Sequence, residues 1–196
     1  MLQQQIILAS ASPRRQELLQ QIGVDFRVIS QDLDESLRQD EPAADYVLRM
    51  ANAKADSALT SLAQDDQSVV LAADTIVVCD GEVMGKPADR DSAVGMLLKL
   101  SAREHHVFSA ITVATQQQRF SAMSDSVVCF RAITLDEAED YWRSTEPIGK
   151  AGAYAIQGRA AIFVKQLSGS YSSVMGLPLY ETAELLSRFD IKVLNQ

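Results

Sequence analysis

Apolar positions along the chain follow two periods in alternation. Gln5 to Ala9 (QIILA) is a short apolar run and reads as a buried strand. Behind Ser12-Pro13, the residues Leu18, Leu19 and Ile22 fall at helical spacing. Phe26 to Ile29 reads as a second strand, followed by the acidic stretch Asp32-Leu33-Asp34-Glu35. A helix is predicted from Glu41-Pro42 to about Leu62, with Tyr46, Val47, Met50 and Ala51 on one face. Val69 to Val78 is a long apolar strand that closes in a turn at Asp80-Gly81.

The second half continues the alternation. Asp89 is placed to cap a helix ending near Leu100. Residues 104 to 115 and 119 to 131 read as two long strands around the Gln116-Gln117-Gln118 turn. Thr134 and Glu137 form a capping box for a helix carrying Leu135, Ala138, Tyr141 and Trp142. A glycine-containing loop from Lys150 to Gly158 leads to a strand predicted over Ala160 to Gln166. Pro178 suits the first turn of a closing amphipathic helix. Strands and helices alternate, but two long strands adjoin in the middle. That pattern predicts an α/β fold with a mixed sheet rather than a strictly doubly wound one.

With 196 residues and no Pro/Gly/Ser-rich linker or internal repeat, the expectation is one domain over 1–196. The apolar fraction of 47% is enough for a sizeable core and excludes disorder. No apolar run approaches the roughly 20 residues that span a bilayer. Met1 to Gln5 lacks the basic segment of a leader, so a cytoplasmic address is expected and no membrane partner. The two cysteines, Cys79 and Cys129, have no metal or redox spacing and read as small apolar residues. A zinc site is not expected, since the only histidines are the adjacent His105 and His106. A net charge of −8 argues against a nucleic-acid partner but not against a small anion held by a local cluster of cations.

Ser10-Ala11-Ser12-Pro13-Arg14-Arg15 lies between a strand and a helix. A helix N-terminus is partly positive and favours acids in its first turn; this one has two arginines. Backbone N–H groups, two hydroxyls and two guanidinium groups there suit a phosphate. An ordinary cap with solvated arginines is the alternative. Asp74 stands inside the apolar strand, where an unpartnered carboxylate would cost about 3–5 kcal/mol. It requires a cation, a metal or a cleft, a structural ion pair being the plain version. Lys54 continues the apolar face of its helix and either snorkels or points at a buried anion. Lys86 is the other candidate partner for Asp74; it lies in Gly85-Lys86-Pro87, just past the turn that follows the Asp74 strand, a segment with the wrong spacing for a Walker loop. Asp32, Asp34, Glu35 and Asp74 are the acids available to a metal, and magnesium needs only one or two carboxylates besides substrate phosphates.

Together and in order, these pieces resemble the Maf family of nucleoside triphosphate pyrophosphatases, also called septum formation inhibitor proteins. The likeness runs through Leu8 to Arg15, Asp34-Glu35, Ala51 to Ala55, Ala73-Asp74-Thr75, Gly85-Lys86-Pro87 and Leu100-Ser101 with His105. It continues through Ala151 to Tyr154, Ile156-Gln157-Gly158, Gly169-Ser170-Tyr171 and Gly176-Leu177-Pro178. The resemblance implies hydrolysis of a nucleoside triphosphate to the monophosphate and pyrophosphate with a divalent metal, Mg2+ or Mn2+. It implies Asp74 as the catalytic carboxylate and Glu35 and Asp74 as metal holders. Lys54, Lys86 and Arg15 would offset phosphate charge, and Ser10 and Ser12 would hydrogen-bond the phosphates. The implied fold is an elongated, two-lobed α/β structure around a curved mixed β-sheet with flanking helices, its active site in the central cleft. Homodimers are common in such proteins.

The family branch acting on dTTP and UTP has Arg, Thr and Gln at three positions, matched here by Arg14, Thr75 and Gln157. A sister branch preferring 7-methyl-GTP carries Trp after the proline and Glu near the later loop. The Gln157 amide can accept from N3–H and donate to O4 of uracil or thymine, a pattern cytosine inverts. Modified pyrimidine nucleotides are further candidates. Ala102 and Ala155 stand where relatives usually have Gly, and Ser109 where Thr is common. A positive φ at either alanine would store strain of about 1–2 kcal/mol. The competing readings are a pyrophosphatase with another base preference and a non-catalytic nucleotide-binding regulator of septum formation. The joint presence of Asp74, Lys54, Lys86 and Glu35 weighs against the regulator.

Overall fold

The first strand forms where the sequence is apolar on both faces. In the computed structural model, which describes residues 5–30 and 32–194, β1 (Ile6–Leu8) is buried at all three positions. Residues 1–4, part of the segment read for a leader, lie outside the described residues. Strand β1 pairs in parallel with β2 (Phe26–Val28) on one side and β3 (Val69–Cys79) on the other. Parallel neighbours need crossovers, which α1 (Pro13–Gln21) and α2 (Ala43–Thr60) supply. Strand β3 is buried at every residue but Thr75 and turns back into the short antiparallel β4 (Glu82–Met84). There follow α3 (Arg90–Leu100), β5 (Glu104–Ala114), β6 (Arg119–Phe130), α4 (Leu135–Arg143), β7 (Val164–Ser168), α5 (Tyr171–Met175) and α6 (Leu179–Ser187). Among the described residues the sheet has seven strands, in the order β2-β1-β3-β5-β6-β7, with β4 on β3 and β7 antiparallel to β6. It is the mixed sheet with flanking helices that the alternation predicted.

The chain packs as two units. The first draws its described residues from Met1–Asp74, Ser109–Ser124 and Gly176–Gln196, the second from Thr75–Phe108 and Asp125–Met175. In the first, Ile7 of β1, Ala9 just past its end, and Val70 and Ala72 of β3 pack against Ala55, Ala58 and Leu59 of α2. Alanine at these helix positions keeps the helix close to the sheet. The second unit has an aromatic core. The Phe130 and Tyr154 rings lie 4.9 Å apart, and Tyr141 meets Phe163 edge-on at 88°. Buried His105 sits against this cluster, its Nε2 2.9 Å from the Tyr154 hydroxyl, and burial pushes its pKa down to about 4. Cys79 lies in the same core, its thiol pushed up by burial, as a small apolar residue would sit.

Local signals translate unevenly. Asp89 accepts from the Ser92 backbone N–H, and the Thr134/Glu137 capping box forms. Ser12 is the N-cap of α1 with Pro13 first in the helix, but its hydroxyl makes no capping bond. Pro178 is the N-cap of α6 rather than a residue of its first turn. The strand predicted from Ala160 starts only at Val164, because Arg159–Phe163 is a 3-10 turn. Ala160 and Phe163, three apart, are buried while Ala161 and Ile162 face solvent. An unbroken apolar run hides that period of three.

Of the two alanines that replace glycine, Ala102 has φ at +56° and Ala155 is not at positive φ. The strain expectation therefore holds at Ala102 alone. Ala102→Gly should raise unfolding free energy in urea by about 0.5–1 kcal/mol, whereas Ala155→Gly should lower it. Equal losses at both positions would refute this account of the strain.

Candidate active site

Two periodicities bring the central pair together. On α2 the buried stripe runs Tyr46, Val47, Met50, Ala51, Lys54, Ala55, Ala58 and Leu59, so Lys54 faces the sheet. On β3, residues two apart share a face, and Asp74 follows Val70 and Ala72 of the cluster that α2 covers. Lys54 Nζ donates to Asp74 Oδ1 at 2.6 Å. The two residues are 9% and 7% exposed, so the carboxylate that needed a partner has one. The same ammonium lies 2.7 Å from Glu35 Oε1. One cation thus sits between two carboxylates, one buried and one on an exposed loop. A buried pair of this kind is weak evidence for stability, since desolvation offsets its attraction. Its presence inside the strand makes it the candidate for chemistry.

The turn from β1 into α1 supplies a second cluster. Ser10 is buried, and its Oγ accepts from the Ser12 backbone N–H at 3.2 Å and from Arg15 Nη1 at 3.1 Å. Arg15 Nε donates to the Gly176 carbonyl at 2.9 Å, fixing the guanidinium by both edges. Burial pushes the Arg15 pKa down, while the negative charges of Asp74 and Glu35 push it back up. Arg14, by contrast, turns outward and pairs with Glu17 at 2.6 Å, three residues on in the same helix. Within this unit, Ser10, Arg15, Glu35, Lys54 and Asp74 therefore form one electrostatic group, with Ser12 at the helix start. Asp32 and Asp34 are exposed, and Asp34 accepts from the Ser36 backbone N–H at 2.9 Å.

The profile of Maf-like proteins matches residues 5–189. The chain belongs to the Maf family. It is 46% identical over 184 residues to the dTTP/UTP pyrophosphatase of Vibrio vulnificus (strain YJ016), covering 94% of this chain and 98% of that one. It is 45% identical over 188 residues to the dTTP/UTP pyrophosphatase of Acinetobacter baylyi, covering 96% of this chain and all of that one. The protein of that name from Hahella chejuensis is also 45% identical, with 96% and 94% covered.

The remaining residues of the Maf pattern belong to the second unit. Thr75 follows Asp74 on β3 and is the one strand residue left half-buried. Lys86 is exposed just after β4, next to Gly85, whose carbonyl accepts from the Gly152 backbone N–H at 3.1 Å. Gln157 is half-buried on the loop before the 3-10 turn. That loop is gripped by Glu146, which carries no signal in the sequence, and by Tyr141, which reads there only as part of a helix face. The Glu146 carboxylate accepts from the Arg159 backbone N–H at 2.9 Å, and the Tyr141 hydroxyl accepts from the Ala155 N–H at 3.1 Å. A Cβ on Gly158 would meet the Glu146 carboxylate, which would have to shift to admit it. Arg15's anchor on Gly176 was equally invisible, since 161 residues separate the two.

Proposed function

We propose that this protein hydrolyses nucleoside triphosphates, dTTP and UTP foremost, to the monophosphate and pyrophosphate. The observation that carries the reading is the Lys54 ammonium held between Asp74 and Glu35 beside the Arg15–Ser10 turn. The names of the Vibrio and Acinetobacter relatives support the same substrates.

The roles are those the Maf resemblance implies, and the charges present agree with them. Water's oxygen forms the new bond to phosphorus, the bridge between the α and β phosphates breaks, and Asp74 accepts the proton. Both Ser10 bonds use its oxygen as acceptor, so its own proton is left to donate to a phosphate oxygen. Arg15, Lys54 and Lys86 offset the charge that spreads over the phosphates as the bridge breaks. Arg14 and Ser12 border the helix N-terminus, which favours an anion.

Glu35 and Asp74 already converge on a single cation, at 2.7 and 2.6 Å, and their oxygens are hard donors that fit Mg2+ or Mn2+. Among the described residues no group of three His, Cys, Asp or Glu side chains could hold an ion. Water and substrate phosphates would complete the coordination, as magnesium prefers. When bound, such an ion supplies positive charge to the phosphates and the leaving pyrophosphate.

Base choice falls to Gln157, with Thr75 and Arg14 as its companions in the pattern. The test is pyrophosphate release from dTTP, UTP, CTP and 7-methyl-GTP by the wild type and Gln157→Glu. Release should favour dTTP and UTP, and Gln157→Glu should narrow that preference by about 1–3 kcal/mol in kcat/KM, because the donor to O4 is lost. An unchanged profile would leave Gln157 as scaffold. Preference for 7-methyl-GTP would overturn the pyrimidine reading, and binding without release would favour the regulator.

A further inference from the structure

Residues 32–42, which carry Glu35, form an irregular segment without helix or strand. Glu35 itself is exposed, and a carboxylate on such a segment has many positions open to it. In the structure it has one, 2.7 Å from Lys54 Nζ. The cause lies on α2. The Tyr46 hydroxyl donates to the Glu35 carbonyl at 2.8 Å. One turn on, Arg49 Nη2 donates to the Ser36 carbonyl at 3.1 Å. The Arg49 guanidinium also grips Glu41 by both oxygens, Nε to Oε1 at 2.5 Å and Nη2 to Oε2 at 2.6 Å. Glu41 in turn accepts from the Arg38 backbone N–H at 3.1 Å. The guanidinium stacks 5.2 Å from the Tyr46 ring centroid, so the two anchors brace each other.

We propose that Tyr46 and Arg49 are positioning residues that clamp the Glu35 segment onto α2, so that the Glu35 carboxylate meets Lys54 two turns farther along the same helix. One rigid element then sets both partners: Tyr46, Met50 and Lys54 lie four apart on one stripe, and Arg49 lies three from Tyr46. The Arg49 pairing holds the Glu41 carboxyl down at about 2, so the clasp stays charged at neutral pH. Burial first, then the negative charges of Asp74 and Glu35, push the Tyr46 hydroxyl up to about 12, and it stays a donor. The catalytic side of this inference rests on the reading of Glu35 given above.

The experiment combines a double-mutant cycle with amide exchange, on the full chain. Tyr46→Phe and Arg49→Met are each made in the wild type and in Glu35→Gln. Each should lower kcat about tenfold alone and less than about twofold in the Glu35→Gln background, because the group they position is gone. The charge-reversed pair Glu41→Arg with Arg49→Glu should recover part of the loss of Arg49→Met. Amide exchange across residues 33–40 should quicken in Tyr46→Phe and Arg49→Met while β3 stays protected. Losses that multiply with Glu35→Gln overturn the proposal, as does unchanged exchange across 33–40. If Glu35→Gln keeps full kcat, the reading of Glu35 fails on its own, and the exchange result still decides the clamp.

Discussion

Asp74→Asn is expected to lower kcat for pyrophosphate release by about a thousandfold or more, with the fold intact. General base catalysis by a positioned side chain contributes about 10²–10⁴, and the substitution removes the base but not its shape. Asn keeps an oxygen where Oδ1 accepts from Lys54 at 2.6 Å. The ammonium also retains Glu35 at 2.7 Å, so no buried charge is stranded. Thermal unfolding should shift by only a few degrees, and nucleotide affinity should survive, because Ser10 and Arg15 are untouched. Steady-state kinetics beside a melting curve checks both halves. A variant with near wild-type kcat would remove Asp74 from its role.

Lys54→Met is expected to do the opposite to the fold. The methionine fills the stripe of α2, but Asp74 keeps its charge inside β3 without the ammonium that compensates it. Breaking one side of a buried pair costs about 3–5 kcal/mol, and the nearby Arg15 guanidinium places the expectation toward the lower end. Turnover should be lost as well. Urea unfolding reads the stability term. The double replacement Lys54→Met with Asp74→Leu should regain most of the stability and none of the activity, since a matched apolar pair carries no desolvation cost. Equal stability of Lys54→Met and wild type would mean that Asp74 has another compensating partner.

These two residues were also the most legible part of the site. An aspartate in a ten-residue apolar strand and a lysine on the apolar stripe of a helix each break the local pattern, and each break demands a partner. The period of two in β3 and of 3.6 in α2 then places both on the shared face. The mixed sheet was readable for the same reason, because strand and helix periods depend only on neighbours in sequence. What could not be read is what closes over long separations. Arg15 is fixed by a carbonyl near the other end of the chain, and the Glu35 segment by Tyr46 and Arg49, whose spacing equally suits an ordinary helix face. The 3-10 turn at Arg159–Phe163 reads as strand from Ala160 on, because both present the same apolar run. Thr75 and Gln157 are suggested only by the Maf pattern, not by any local break in periodicity.

Pyrophosphate release from dTTP, with magnesium or manganese, by the wild type and Asp74→Asn side by side tests the central claim most directly. The expected result is release by the wild type that falls by about three orders of magnitude in the variant, while dTTP still binds. Release at equal rates by both proteins, or dTTP binding with no release by either, would contradict it.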